Sequence, residues 1–155
     1  MRENKFRGQR KDIGEWVYGY YDGCYETTTI NYLKNGIPYN VRVTPETVGQ
    51  YTGLHDATKW EDLPNAERKE FFNKNRSEDG KTIKYQKLED VKHLWKGREI
   101  YEGDILQAHD FPKDRLTFSV TWCEYGGFNL LGINTSAFKV IGNVHENPEI
   151  TKGKG

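Results

Sequence analysis

Val48-Gly49-Gln50-Tyr51-Thr52-Gly53-Leu54 and Gly97-Arg98-Glu99-Ile100-Tyr101-Glu102-Gly103-Asp104-Ile105-Leu106 decide the reading of this chain. Both are glycine-punctuated runs of β-branched, aromatic and aliphatic residues, the signature of strands that end in tight turns. A charged stretch with helical periodicity separates them. They define architecture far better than chemistry: neither has the spacing of a catalytic triad, a phosphate loop or a closed metal site.

Working outward, Glu15-Trp16-Val17-Tyr18-Gly19-Tyr20-Tyr21 reads as a strand that ends at Asp22-Gly23, a turn dipeptide. Thr27 to Tyr32 and Tyr39 to Val43 read as a hairpin about Asn35-Gly36. Pro45 breaks the ladder, extended structure resumes from Thr47 to Tyr51, and Thr52-Gly53 is expected to turn the chain. Thr58-Lys59-Trp60-Glu61 fits a capping box and Pro64 suits a first helical turn, so the pattern predicts a helix over about 59–75, with Glu67 interrupting its apolar stripe. Ser77-Glu78-Asp79-Gly80-Lys81 reads as a polar turn. Leu88, Val91 and Trp95 at i, i+3, i+7 predict a second helix ending near Lys96-Gly97. Strands return over Asp104–Ala108, Thr117–Trp122, Phe128–Leu131 and Phe138–Val144, with Gly126-Gly127 as a hairpin turn. The expectation is a mainly β fold, a small barrel or a sandwich of antiparallel sheets, with a short α-helical insertion. One domain covers residues 1–150, the insertion occupies about 55–96, and residues 151–155 form a flexible tail.

Composition narrows the function classes. The chain has 155 residues, enough for one domain with a real core. Lys plus Arg and Asp plus Glu number 23 each, so no net field draws it to nucleic acid or an anionic membrane. Aromatic residues make up 14% against 35% hydrophobic, which suits a small β fold with a thin core. Cys24 and Cys123 form no CxxC pair and are expected to be free thiols. No apolar h-region follows Met1 and no stretch is long and apolar enough for a membrane span, so a soluble, cytoplasmic protein is expected.

The two opening runs, together with Lys5-Phe6-Arg7-Gly8, Gly14-Glu15-Trp16-Val17-Tyr18-Gly19 and Val140-Ile141-Gly142-Asn143-Val144-His145-Glu146-Asn147-Pro148-Glu149, resemble the YopX family of phage and prophage proteins. The likeness covers nearly the whole chain in the expected order. It implies a mostly β fold and a phage or prophage origin in a bacterial host, and it transfers no activity, cofactor or catalytic residue. Gly49, Gln50, Tyr51, Thr52, Gly53, Leu54, Tyr101, Glu102, Gly103 and Asp104 carry the family motif in a structural role. The chain departs from the family between His55 and Lys96, where many members cross between the two motifs in a few residues.

Each chemical constellation has a plainer reading beside it. Glu102 and Asp104 flank a glycine as an acid/base pair could, but carboxylates entering a strand commonly accept from local backbone donors, the favoured reading here. His55-Asp56 and His109-Asp110 would serve a metal-dependent hydrolase if the fold joined them; loop histidines are the default for these and for His93 and His145. Cys123, beside Trp122 and Tyr125, reads as a packing residue rather than a nucleophile. Lys5, Arg7, Arg10 and Lys11 lie near Trp16, Tyr18 and Tyr20, a combination suited to single-stranded nucleic acid but thin in charge. Trp60, Phe71, Phe72 and Trp95 either close down on the domain or form an apolar docking surface. The resulting expectation is a non-enzymatic phage or prophage accessory protein without cofactor. It acts as a macromolecular binding module through the insertion aromatics, on a host or phage protein or a second copy of the chain. Nucleic acid is the alternative partner, metal-dependent hydrolysis the alternative activity, and no membrane is involved.

Overall fold

The computed structural model describes residues 5–23, 27–34, 37–77, 82–108, 117–123, 127–130 and 133–152. Among the described residues, eleven strands run in chain order: β1 (Phe6–Gln9), β2 (Trp16–Asp22), β3 (Thr29–Lys34), β4 (Ile37–Arg42), β5 (Gly49–His55), β6 (Glu99–Tyr101), β7 (Asp104–Ala108), β8 (Thr117–Ser119), β9 (Trp122–Cys123), β10 (Gly127–Phe128) and β11 (Phe138–Asn143). β1 to β6 form one sheet in the order β4-β3-β2-β1-β5-β6, β11-β7-β8 form a second, and β9 pairs with β10. All pairings are antiparallel. The sheets do not close into a barrel: the larger one keeps two ends, at β4 and at β6.

The two motif runs lie side by side. Tyr51 of β5 stands opposite Tyr101 of β6 and His55 opposite Glu99. The Glu102 N–H donates to Gln50 O at 3.0 Å, and the Thr52 hydroxyl to Ile100 O at 2.7 Å. A Cβ at Gly49 would come within 2.4 Å of Glu102 O, so only glycine allows this approach. Thr52-Gly53 does not turn the chain as the dipeptide suggests. Gly53 (φ 85) instead takes up a register irregularity between Tyr51 and His55, and the strand runs on.

One face of the larger sheet buries Val17, Ile30 and Val43. The second core gathers Ile100, Leu106, Val120 and Leu130 with Phe118, Phe138 and Val140. Ile100 of β6 belongs to it, so the larger sheet's end packs directly on the smaller sheet.

Between β5 and β6 the chain makes a closed excursion. The Asp56 N–H donates to Arg98 O at 2.9 Å, and Gly97 (φ 112) stands where a Cβ would fall 2.1 Å from Asp56 O. The ends of the excursion are therefore sealed across glycine. Within it, the helix predicted from residue 59 is split: a 3-10 turn covers Trp60–Asp62 and α1 covers Asn65–Asn75. Pro64 keeps an extended ψ of 150 and caps the helix from outside. Thr58 makes no capping box, because its hydroxyl is given to Asp56 at 2.9 Å. The second predicted helix is a 3-10 segment, Leu88–Leu94. Three residues per turn align Leu88, Val91 and Leu94 on one side, and Val91 is fully buried there.

Other boundaries moved less. Thr117–Trp122 divides into β8 and the start of β9, β10 is confined to Gly127–Phe128, and β11 ends at Asn143. A short helix, α2 (Glu149–Lys152), extends into the stretch read as a tail. Cys24, Asn35-Gly36, residues 78–81, His109, Asp110, Tyr125, Gly126, Leu131 and residues 153–155 lie outside the described residues.

Candidate functional site

Arg7 organises the face of the larger sheet opposite the Val17 core. It stands opposite Tyr18 on β2 and Gly49 on β5, and only 6% of it is exposed. Its Nη1 lies 2.7 Å from Asp104 Oδ1, and its guanidinium is held between the rings of Trp16 and Tyr101 at 4.8 and 5.1 Å. Asp104 Oδ2 accepts the Tyr101 N–H at 2.8 Å. Burial pushes the Asp104 carboxyl up, while Arg7 and the Tyr101 N–H pull it down. The Glu102-Gly103-Asp104 motif thus accepts local backbone donors, the structural reading. Its Gly103 N–H also donates to Val120 O and its Gly103 O accepts the Val144 N–H, both at 2.9 Å, which welds the two sheets together.

The C-terminal motif completes this frame. Asn143 Oδ1 accepts the N–H groups of His145 and Glu146 at 3.0 and 2.9 Å. That turn delivers Glu146 Oε1 to the Trp16 indole N–H at 2.6 Å. It also brings His145 beside Trp16, where burial and the Arg7 charge hold the imidazole below its ordinary value.

Above this face, the insertion forms a roof over a cleft of about 760 Å³. Arg7, Trp16, Tyr18 and Tyr101 make the floor, and Glu70, Phe71 and Lys74 of α1 the roof. Arg98 clamps Glu67 of α1 with two hydrogen bonds, at 3.1 and 2.8 Å. Lys5 pairs with Glu99 at 2.6 Å, and Glu99 also accepts the Tyr101 hydroxyl at 3.1 Å. Burial first, then the Glu99 charge, push that hydroxyl far above the ordinary phenol range. Lys74 lies 5.7 Å over the Tyr18 ring and 3.5 Å from Glu70.

Tyr18 also lines a second hollow of about 450 Å³, an uncharged groove over β2, β3 and β4. Tyr20, Leu33 and Pro38 line it beside Asn31 and Asn40, whose amides bond each other; Tyr32 and Tyr39, opposite each other in register and stacked with ring centroids 5.3 Å apart, lie on the other face, where Tyr32 packs on the Val17 core. Tyr20 and Leu33 are 69% and 73% exposed. The composition flagged aromatic excess without saying where it surfaces. The i, i+2 alternation of Tyr18 and Tyr20 against Val17 was the available signal, since it puts both tyrosines on the face away from the core.

The four insertion aromatics come together, but on one another. Trp60 is 3% exposed and is gathered with Leu63 and Val91 against Phe71, Phe72 and Trp95. The ring centroids of Trp60–Phe71 and Phe71–Trp95 are 5.8 and 5.1 Å apart. This set makes a private core for the insertion instead of an open docking face. The basic cluster is dispersed too: Arg7 is sealed against Asp104, Lys5 is paired with Glu99, and Arg10 is chelated by Asp12 at 2.9 and 2.7 Å. Lys11 is exposed. Trp16 and Tyr18 remain on the cleft floor.

Asp56, named in the hydrolase alternative, is buried with both oxygens filled. Oδ1 accepts the N–H groups of Thr58 and Arg98 at 2.9 and 2.8 Å; Oδ2 accepts the Thr58 hydroxyl and the Val140 N–H, each at 2.9 Å. Its lone pairs serve the fold, and none is left for a metal. Burial lowers the His55 imidazole, whose ring stands edge-on to Tyr51 at 6.0 Å. Cys123 is a half-buried free thiol.

No protein with a curated description and no solved structure matches the chain. Residues 95–152, the stretch that supplies Asp104 to Arg7 and Glu146 to Trp16, match the family model described as YopX protein, and the YopX resemblance carried by the sequence motifs holds there.

Proposed function

We propose that this chain is a non-catalytic protein-binding module, a phage or prophage accessory protein working in the cytoplasm of a bacterial host. Its partner docks on the tyrosine groove of β2, β3 and β4. The carrying observation is that groove: no charged residue lines it, although 23 basic and 23 acidic residues are spread through the chain. Tyrosine-rich apolar surface with amides at hand is the composition of protein interface centres, where charge is depleted. The buried insertion aromatics direct the reading to this groove. No helix among the described residues is long and apolar enough to cross a membrane.

The test is co-purification of the tagged chain from induced host cells, with mass spectrometry and an absorbance check for nucleic acid. A Tyr20→Glu, Leu33→Glu double variant changes two side chains exposed enough to leave folding intact. Wild type should retain a protein at stoichiometric level that the variant loses. Equal retention by both, or nucleic acid as the retained species, overturns the reading.

A further inference from the structure

We propose that the uncharged groove over β2, β3 and β4 receives a proline-rich segment of the partner, in the polyproline II conformation. The inference rests on the protein-binding reading and adds the chemistry of the partner. The outer edge of this sheet rules out the simplest docking mode, addition of a strand. The outward-facing groups of β4 alternate along it, at Pro38, Asn40 and Arg42. Pro38 has no N–H, and the Arg42 carbonyl already accepts the Lys11 N–H at 3.1 Å. Asn40 is bracketed between them, so a partner strand finds no continuous ladder there. An extended partner has to lie on the face.

That face selects among uncharged occupants by its amide pair. Asn40 Nδ2 donates to Asn31 Oδ1 and, at 3.3 Å, to Thr29 Oγ1. Among the described residues, Asn31 Nδ2 then has no acceptor and Asn40 Oδ1 no donor, and both stand amid Tyr18, Tyr20, Leu33 and Pro38. Whatever covers them must supply a carbonyl and an N–H, or leave polar groups dry. A helix has used its main-chain groups internally and supplies neither. A flat strand supplies both, but turns its remaining N–H groups onto tyrosine rings. A polyproline II segment makes no internal hydrogen bonds, so its carbonyls are free, and its prolines have no N–H to desolvate. Its pyrrolidine rings fit an aromatic groove, and a non-proline residue meets the amide pair. No charged residue lines the groove, so a charged segment would lose hydration without gaining a partner.

The probe is acetyl-Ala-Pro-Pro-Ala-Pro-Pro-Ala-amide, whose alanines fall on one face of a helix with about three residues per turn. Its all-D enantiomer and the strand former acetyl-Ala-Thr-Val-Ala-Thr-Val-Ala-amide are the controls. Each is titrated while the Tyr20 ring and Asn31 side-chain amide signals are followed by NMR. The proline peptide should shift both saturably, with an affinity insensitive to added salt, and the controls should not. Tyr20→Ala, at a 69% exposed position, should weaken it about tenfold as the loss of an aromatic anchor. Asn31→Ala should weaken it about fivefold, the size of one net hydrogen bond. No shift with the proline peptide, an equal shift with either control, or unchanged affinity in Asn31→Ala overturns the inference. If the Tyr20→Glu, Leu33→Glu variant still loses its partner while these titrations fail, the protein-binding reading stands and only the proline-rich inference falls.

Discussion

Arg7 Nη1 and Asp104 Oδ1 stand 2.7 Å apart with both side chains almost wholly buried, and that pair fastens the first strand of the chain to the turn that joins the two sheets. A buried pair is not a large net stabiliser, but removing one member strands the other charge without water. Arg7→Met alone or Asp104→Leu alone should each cost about 3–5 kcal/mol in urea unfolding. The double variant should lose clearly less than the sum of the two. Additive losses would mean the pair does not act as a unit.

Asp56 joins three segments through one carboxylate, with donors from Thr58, Arg98 and Val140. Asp56→Ala leaves one buried and two part-buried backbone N–H groups without their acceptor and should cost about 2–3 kcal/mol, given about 1–3 kcal/mol for a fully buried unsatisfied group. Asp56→Asn should also destabilise, because an amide NH2 must face a donor. A variant that unfolds at the wild-type midpoint would refute this role.

These two residues also mark what could be read from the chain. Strand segments such as Trp16–Asp22 and Asp104–Ala108 were legible because alternation and turn glycines are local signals. The Glu102-Gly103-Asp104 turn was legible in kind, since a carboxylate there can bond its own backbone. Its partner Arg7 was not, because that pairing needs β1, β5 and β6 to be adjacent, which no local pattern encodes. The same holds for Trp60: an aromatic in a charged stretch reads equally as a docking anchor or as a small core. Only the return of Trp95 and Val91 onto it decides.

That small core predicts a local effect. Trp60→Ala should open the insertion, since emptying a buried aromatic site costs about 3–5 kcal/mol, while the sheets keep their own cores around Val17 and Leu106. Hydrogen exchange should rise across α1 and the Leu88–Leu94 turn, with β1 and β7 unchanged. Loss of protection throughout would show that the insertion and sheets unfold as one unit.

His145 makes stability depend on pH. Its folded-state value is lowered, by burial and then by Arg7, so the unfolded chain takes up a proton before the folded one does. Stability is therefore retained above the ordinary histidine value, about 6.5, and lost as pH falls from there through the folded value. The melting temperature should drop between about pH 7 and about pH 5, the range below the ordinary histidine value. His145→Gln should flatten part of that drop; His55, lowered by burial, acts in the same direction and Asp104, raised by burial, in the opposite one. An unchanged pH profile in the variant would exclude His145 as a source.

The sealed base of the insertion gives the last prediction. Asp56 and Arg98 already face each other as the closing pair of a hairpin, with Asp56 N–H donating to Arg98 O at 2.9 Å, and His55 is in register with Glu99 behind them. Replacing residues 57–97 by Asn-Gly offers the two-residue turn that this geometry favours. It sacrifices the Thr58 donors to Asp56 and the Ala57 N–H bond to Phe138 O, so the shortened chain should melt lower than wild type. It should keep its β-type circular dichroism, because β5 and β6 stay paired through Tyr51–Tyr101 and both sheet cores are untouched. With α1 gone, the Tyr20 and Leu33 groove, which lies outside residues 57–97, should still retain the protein partner. A shortened chain that fails to fold would mean that the insertion, though closed at its base, is needed to hold the larger sheet together.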